Sequence, residues 1–417
     1  MTLAEELKSR GLIEHESAPA ETILATPRTV YLGIDPTADS AHVGHLVPFL
    51  LMKRLGAAGH KLIFLVGGGT GMIGDPKEKG ERVLIDEKTL RANTKALQKQ
   101  IKALLGRTSF RMVDNAEWLF KTQMIYFLRE IGKHFTVNDL IKRDLIKKRL
   151  DDPNESISYT EFTYSLLQAL DYLVLHRKYS CDLQIGASDQ WTNILSGVDL
   201  IRKKNGNEVY ALTVPLITDS TGRKFGKSEG NAIWLDPKKT SPFQFYQFWI
   251  NLPDDNVEQY LKVYTFMSVD AINELMAKHR ENPGMREAQE TLASQVTTLV
   301  HGPAAAAEAA AATDALFGGR PFHELSRMER AVALAEAPSF ALTKSQLAQG
   351  FPLVDALAAG GLVSSKSEAR RLIEQKGITL SGFPVPNPDQ KIFTHDLPDG
   401  VALVRKGKRE VLVLVLK

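Results

Sequence analysis

Two short apolar runs, Val30-Tyr31-Leu32-Gly33-Ile34 and Lys61-Leu62-Ile63-Phe64-Leu65-Val66, bracket a stretch with helical spacing, and this arrangement constrains the fold most. Each run is rich in β-branched and apolar residues and bounded by turn formers, as a strand buried on both faces is. Between them, Pro36-Thr37-Ala38-Asp39-Ser40 reads as a turn with Asp39 or Ser40 as N-cap. Leu46, Phe49 and Leu50 then keep helical spacing, and Gly56 and Gly59 end the helix. Strand, crossover helix and strand imply a parallel sheet, with ligands expected beyond the strands' carboxyl ends. The second run leads into Gly67-Gly68-Gly69-Thr70-Gly71, which does not match the GxGxxG fingerprint and gives nicotinamide or flavin binding little support.

Further along, a long helix over 158–178 precedes a third strand, Asp182–Gly186, and the turn Ala187-Ser188-Asp189-Gln190-Trp191 opens another helix. Beyond Pro242 the pattern is helical, including the Ala-rich stretch Gly302–Gly319, where good helix formers favour a packed helix over disorder. Pro338–Pro352 reads as a linker. The tail reads as a separate small unit, with helices over Leu353–Ala359 and Lys366–Gln375 and strands over Val401–Val404 and Val411–Leu416. The expected class is α/β: a parallel-sheet domain over 1–235, a helical domain over 236–335, a linker over 336–350 and a small α+β domain over 351–417.

Composition removes several classes. Hydrophobic residues make up 43% and charged residues 24%, as in an ordinary globular chain. No apolar run approaches the roughly 18 residues of a membrane span, and the start, Met1-Thr2-Leu3-Ala4-Glu5-Glu6-Leu7, lacks a signal peptide's basic-then-apolar order. A cytoplasmic protein is expected. The single Cys181 excludes an internal disulfide and a multi-thiolate metal site, and reads as a small buried hydrophobe. A net charge of +3 does not demand a nucleic-acid partner. Ile141–Arg149 nevertheless carries five bases and one acid, either a solvated helix face or a contact for RNA or phosphate.

Two motifs carry the chemistry. His42-Val43-Gly44-His45 opens the first helix, where free N–H groups and the positive end of the dipole favour an anion. The two imidazoles, three residues apart, share a face of the first turn, and Gly44 lets a nucleotide approach the backbone. Thr37 and Asp39 in the preceding turn can add a hydroxyl and orient the loop. Asp219-Ser220-Thr221-Gly222-Arg223-Lys224-Phe225-Gly226-Lys227-Ser228 is a polar, basic, Gly-rich loop able to close over a triphosphate, with Lys224 and Lys227 as point charges and Ser228 as a donor. Either motif alone is weak. Together they describe two imidazoles and two ammonium groups on one polyphosphate, the chemistry of amino-acid or nucleotide activation by ATP, in which charge grows on the α-phosphoryl group and departing pyrophosphate.

A third constellation lies on the helix after residue 158. Tyr164, Gln168 and Asp171 share one face, while Phe162, Leu166, Leu167, Leu170, Leu173 and Val174 bury much of the rest. Such a stripe is either solvated or lines a pocket, since an unpaired buried acid costs several kcal/mol. Asp75 lies just past a strand end and offers a second carboxylate, and Tyr31 points a phenol towards the same region. A carboxylate for an ammonium and a phenol–carboxylate pair for a hydroxyl would suit tyrosine.

Tyr31–His45, Gln184-Ile185-Gly186-Ala187-Ser188-Asp189-Gln190-Trp191 and Lys224–Ser228 together give the chain its resemblance: it resembles the bacterial-type tyrosyl-tRNA synthetases, of the class I aminoacyl-tRNA synthetases. His42–His45 matches the HIGH motif with Val for Ile, and Lys224–Ser228 matches the KMSKS motif in its KFGKS form. The resemblance implies a Rossmann-like catalytic domain, an anticodon-side helical domain and an S4-like RNA-binding tail. It implies ATP, L-tyrosine and tRNA(Tyr) as substrates, magnesium on the phosphates without a dedicated metal site, and a homodimer. By the same resemblance Tyr31 and Asp171 would bind the substrate phenol, and Asp75, Tyr164 and Gln168 its ammonium. Gln190 would sit by the carboxylate, Asp35 and Asp189 by substrate or ribose, and Leu216 and Ile217 beside adenine. Thr37, His42, Gly44, His45, Lys224, Lys227 and Ser228 would serve ATP and the transition state. Lys366, Arg370 and Arg371 would grip RNA, in a tail with ten Lys or Arg against seven Asp or Glu from residue 350 onward. Two departures stand out. The loop Pro76–Arg82 is slightly shorter than in the family, leaving Lys77, Lys79 and Arg82 as alternatives for pyrophosphate, and position 32 is Leu where some members place a polar or thiol group by the ribose. A tryptophanyl enzyme would lack the phenol–carboxylate pair and usually the tail. Small nucleotidyltransferases share the HxGH helix start but are far shorter. A synthetase-derived RNA-binding protein would not need His42, His45, Lys227 and Asp171 intact.

Overall fold

The chain is described here from a computed structural model covering residues 1–77, 79–218, 225, 227–228, 231–318, 326, 330, 334–407 and 410–417, without the side chains of 227, 228 and 231. The described residues divide into two compact units, 1–240 with 251–292, and 241–250 with 293–417. No helix among the described residues is long and apolar enough to cross a membrane.

The first unit is built on a six-stranded sheet: β1 (His15–Glu16), β2 (Thr29–Ile34), β3 (Lys61–Val66), β4 (Phe110–Asp114), β5 (Leu183–Ala187) and β6 (Tyr210–Val214), in the order β1-β6-β5-β2-β3-β4. Strands β2 to β6 are parallel, and β2 and β3 pair in register from Thr29 opposite Lys61 to Ile34 opposite Val66. The sheet is not wholly parallel, because the short edge strand β1 runs antiparallel to β6 with His15 opposite Thr213. Val30, Leu62, Phe64, Val66, Ile185 and Leu212 are buried, as strands covered on both faces require. From β2 the chain winds outward through β3 and β4, then crosses to β5 and β6 on the other side. That reversal places the topological switch between β2 and β5, and a crevice at their carboxyl ends.

Two helices differ from the sequence expectation. The one after β2 spans Val43–Ala57 and its N-cap is His42, not Asp39 or Ser40. Ser40 is buried, with its hydroxyl bonded to the Ala41 carbonyl, the Gln100 amide and the Asp236 N–H, so it serves tertiary contacts instead. The long helix expected over 158–178 is two, Tyr159–Phe162 and Tyr164–Tyr179, broken at Thr163, whose hydroxyl bonds back to the Tyr159 and Thr160 carbonyls.

The second unit contains the Ala-rich helix Pro303–Phe317 and a five-stranded sheet in the order Phe383–Pro384, Ile378–Leu380, Val401–Lys406, Glu410–Leu416, Ser339–Leu342. Residues 336–350 are therefore not a plain linker. Ser339–Leu342 pairs in parallel with Glu410–Leu416, and helix Lys344–Gln349 follows, closed by a Thr343–Gln346 capping box. Pro338 and Pro352 suggest a break only if their places are ignored: Pro338 lies just outside the strand and keeps a carbonyl that accepts from Val413 N–H at 2.8 Å.

Candidate active site

A cavity of about 580 Å³ opens at the switch point and is lined by Tyr31, Asp35, Thr37, His42, Gly44, His45, Asp75, Tyr164, Gln168, Asp171, Asp189, Gln190, Leu216 and Ile217. The cavity thus brings together all the expected tyrosine and ATP residues whose side chains are described, which leaves out Lys224, Lys227 and Ser228. Arg82 also lines the cavity, whereas Lys77 and Lys79 do not.

One end is deep and acidic. Tyr31, in the middle of β2, is 1% exposed, and its phenol oxygen has no hydrogen-bond partner among the described residues. Asp171, buried on helix Tyr164–Tyr179, accepts from Trp118 Nε1 at 2.8 Å and from Asn115 Nδ2 at 3.0 Å. Burial pushes its carboxyl up to about 7 against the pull of these two donors. Asp75 rises to about 6, again through burial, opposed by Gln190 Nε2 at 2.7 Å and Asn193 Nδ2 at 3.0 Å. Asp35 is raised by burial and accepts from Tyr164 Oη and Thr70 Oγ1, each at 2.7 Å. Three buried carboxyls around one pocket, each resisting ionisation, form a site that an ammonium ion would relieve. Asp35 sits against Tyr164, at this acidic end of the cavity.

The other end is a helix start built from imidazoles. His42 Nδ1 accepts from Gly44 N–H at 3.0 Å, and His45 Nδ1 accepts from His42 N–H at 3.3 Å, a capping box with histidine in both roles. Spending each Nδ1 as an acceptor leaves the neutral ring's proton on Nε2, so each imidazole can donate. The rings lie 4.0 Å apart. Gly44 is required here because an added Cβ would come within 2.8 Å of the His42 ring.

The second motif reaches the same place. Val43 N–H donates to the Ile233 carbonyl and Leu235 N–H to the Ala41 carbonyl, a bridge that pairs His42 with Trp234. Lys227–Ser228 forms a two-residue hairpin with Asn231–Ala232 just before this bridge. Phe225 lines the cavity and stacks on Tyr260, with centroids 4.4 Å apart. Lys224 lies outside the described residues, as do the side chains of Lys227 and Ser228.

Sequence reasoning missed the groups that hold the carboxylates: Asn115, Trp118, Asn193 and Thr70. Asn115 is fully buried; besides Asp171 its Nδ2 reaches Thr70 Oγ1 at 2.9 Å, while its Oδ1 accepts from Gly69 N–H at 2.7 Å. Its place just beyond the carboxyl end of β4 was the available signal, since such positions face the crevice. Nothing local marks Trp118. In the second unit, Lys366, Arg370 and Arg371 are exposed on helix Lys366–Glu374, Lys366 paired with Asp355 at 3.0 Å and Arg370 with Asp389 at 2.9 Å.

Comparison with known proteins agrees with this geometry. Residues 25–318 match the family described as tRNA synthetases class I (W and Y). A tyrosine–tRNA ligase of Roseiflexus castenholzii is 43% identical over 416 residues, covering 98% of each chain, and one of Porphyromonas gingivalis is 42% identical over the full length of both. Among solved structures, a C-terminally truncated mitochondrial tyrosyl-tRNA synthetase of Aspergillus nidulans superposes with a TM-score of 0.68 at 32% identity, over 74% of this chain and 92% of that one. The tyrosyl-tRNA synthetase of Archaeoglobus fulgidus, solved with L-tyrosine, shares the fold with a TM-score of 0.55 at 16% identity, over 72% of this chain and 98% of that one. By its motifs, its cavity and these full-length matches, the chain belongs to the tyrosyl-tRNA synthetases of class I.

Proposed function

We propose that the protein joins L-tyrosine to tRNA(Tyr) in two steps within this cavity. The tyrosine carboxylate attacks the α-phosphorus of ATP; an oxygen–phosphorus bond forms, pyrophosphate leaves, and the terminal ribose hydroxyl of tRNA then takes the tyrosyl group, releasing AMP. The observation that carries this reading is the unpartnered phenol of Tyr31 beside the buried, doubly braced Asp171, in the cavity that also holds the His42–His45 helix start.

In this reading Tyr31 and Asp171 bind the substrate phenol. Asp75, Tyr164 and Gln168 bind its ammonium, with Asp35 bracing Tyr164, and Gln190 lies by the carboxylate. A site made to bind a hydroxyl strands its own polar groups when offered phenylalanine, and tyrosyl-tRNA synthetases are the standing example of that asymmetry. Leu216 and Ile217 flank adenine, and Asp189 lies by the ribose. Thr37, His42, His45, Lys224, Lys227 and Ser228 stabilise charge growing on the phosphates, with Gly44 allowing close approach. Of the three candidate cations, Arg82 takes the pyrophosphate side, because it lines the cavity and its Nε is held by the Asp75 carbonyl. Its side chain lies over Gly74, where a Cβ would meet Arg82 Cδ at 2.6 Å. Magnesium would arrive on the ATP phosphates and neutralise them. Among the described residues no group of three or more His, Cys, Asp or Glu is placed to hold a metal.

Residues 1–235 would form the catalytic domain, 236–335 the anticodon-side helical domain, and 351–417, together with the strand Ser339–Leu342 that pairs with Glu410–Leu416, the S4-like RNA-binding domain, with Lys366, Arg370 and Arg371 facing RNA. A second copy of the chain would cover the apolar surface of Phe120, Met124, Ile125, Leu128 and Val137, all exposed, on and beside the short helices Ala116–Leu119 and Met124–Tyr126, which have no fully buried residue. The enzyme would work in the cytoplasm.

The test is ATP–pyrophosphate exchange. Tyrosine should drive it and tryptophan should not, and Asp171→Ala should abolish it while the protein stays folded. Exchange driven by tryptophan, or none with either amino acid, would overturn the reading.

A further inference from the structure

The basic stretch 141–149 does not act as one surface. Lys142, Lys147 and Lys148 are exposed, Arg143 turns in to donate to Ser196 Oγ at 2.7 Å, and Arg149 is buried at 2% exposure. The Arg149 guanidinium is a junction. Nη1 donates to the carbonyls of Lys77 and Gly80, both at 3.3 Å, and to Glu161 Oε1 at 3.4 Å. Nη2 donates to the Ser156 carbonyl and pairs with Glu161 Oε2 at 3.2 Å, and Nε lies 3.5 Å from Glu155 Oε2. Glu155 Oε2 also accepts from Gly80 N–H at 2.8 Å.

This cluster therefore ties two walls of the cavity together. On one side is the loop that leaves Asp75 and ends at Arg82; on the other is helix Tyr159–Phe162, carrying Glu161, which leads directly into Tyr164 and Gln168. Stability alone is a poor reason for such a cluster, because a buried ion pair can often be exchanged for apolar residues without loss. A planar fork that accepts a fixed set of carbonyls does something an apolar residue cannot: it sets the path of the loop.

We propose that Arg149 is a positioning residue that, through the Lys77 and Gly80 carbonyls, holds residues 75–77 and 79–82 in place, so that the Arg82 guanidinium faces the departing pyrophosphate. It acts on adenylate formation, touches neither substrate, and leaves tyrosine binding nearly unchanged. This rests on the reading of the cavity as a tyrosine-activating site.

The experiment measures tyrosine affinity by equilibrium dialysis and single-turnover adenylate formation, in the wild-type and Arg82→Ala backgrounds. Arg149→Lys keeps the charge and loses the fork. It should leave tyrosine affinity within about twofold while slowing adenylate formation by about ten- to a hundredfold, the scale on which small misplacements act. In the Arg82→Ala background the same substitution should slow the step by less than about twofold, because residues acting through one another are not additive. Glu155→Ala, which frees Gly80 N–H and removes one ion-pair partner of Arg149 but leaves its bonds to the Lys77 and Gly80 carbonyls, should move the rate in the same direction by less. Should Arg149→Lys fail to fold, Arg149→Met with Glu161→Met removes both charges together and is read in the same way. An unchanged rate in folded Arg149→Lys, equal losses in both backgrounds, or a parallel loss of tyrosine affinity would overturn the proposal. A slow Arg149→Lys beside an unaffected Arg82→Ala would refute the route through Arg82 alone. A wild-type protein without tyrosine-dependent exchange would instead refute the proposed function.

Discussion

Replacing Tyr31 by Phe separates what the pocket costs from what it does. The Tyr31 phenol oxygen is buried without a partner among the described residues, in contact range of the ring of Tyr172, with centroids 5.1 Å apart. A buried polar group left unsatisfied costs about 1–3 kcal/mol, so Tyr31→Phe, which removes one oxygen and keeps the ring, should stabilise the ligand-free protein by about 1 kcal/mol or more. The bound state should move the other way. A neutral hydrogen bond to the substrate hydroxyl is worth about 0.5–1.5 kcal/mol net, so kcat/KM for tyrosine should fall by about two- to twelvefold. Phenylalanine, which makes no such bond, should lose nothing or gain. The stability arm is read by urea unfolding without ligand, watching that the slope stays constant, and the function arm by pyrophosphate exchange with both amino acids. A variant that is less stable than wild type, or that discriminates against phenylalanine as well as wild type does, would refute the reasoning.

Three further outcomes are expected. Because the folded carboxyl of Asp171 is held near 7, above its unfolded range, the folded state binds the extra proton; stability should fall as pH rises from about 4 to 7. Asp171→Asn should flatten that slope in pH-resolved denaturation, and tyrosine affinity in the wild type should rise where the folded Asp75 and Asp171 ionise, at about 6 and about 7. Replacing Lys366, Arg370 and Arg371 together by Gln should leave exchange intact, weaken tRNA charging and lower the salt dependence of tRNA binding by about 0.7–0.9 log units per lost phosphate contact; an unchanged salt slope would remove this helix from the RNA surface. Met124→Asp should convert a dimer to monomer in sedimentation, and a persisting dimer would place the interface elsewhere.

What the sequence made legible was whatever local periodicity or a fixed spacing can encode. The strands at Val30 and Lys61 declare themselves by uninterrupted apolar character, and the His42 and His45 pair by its place after a turn. Asp171 was visible as an acid among leucines, but the choice between solvated face and pocket wall depended on Asn115 and Trp118, more than fifty positions away in the chain. The same holds for Asn193 on Asp75. Strand Ser339–Leu342 was hidden because its partner is the last strand of the protein, and two prolines nearby imitate a break. That pairing also bears on truncation: cutting at residue 350 removes the partner of a strand left behind, so charge substitutions are the cleaner probe of the tail.

The imidazole cap on helix Val43–Ala57 joins fold and site at one point. Each Nδ1 is an acceptor for a backbone N–H, and both rings line the cavity. A substitution at either histidine therefore alters the helix start and the wall of the cavity together, so that stability and activity at these two positions change as one.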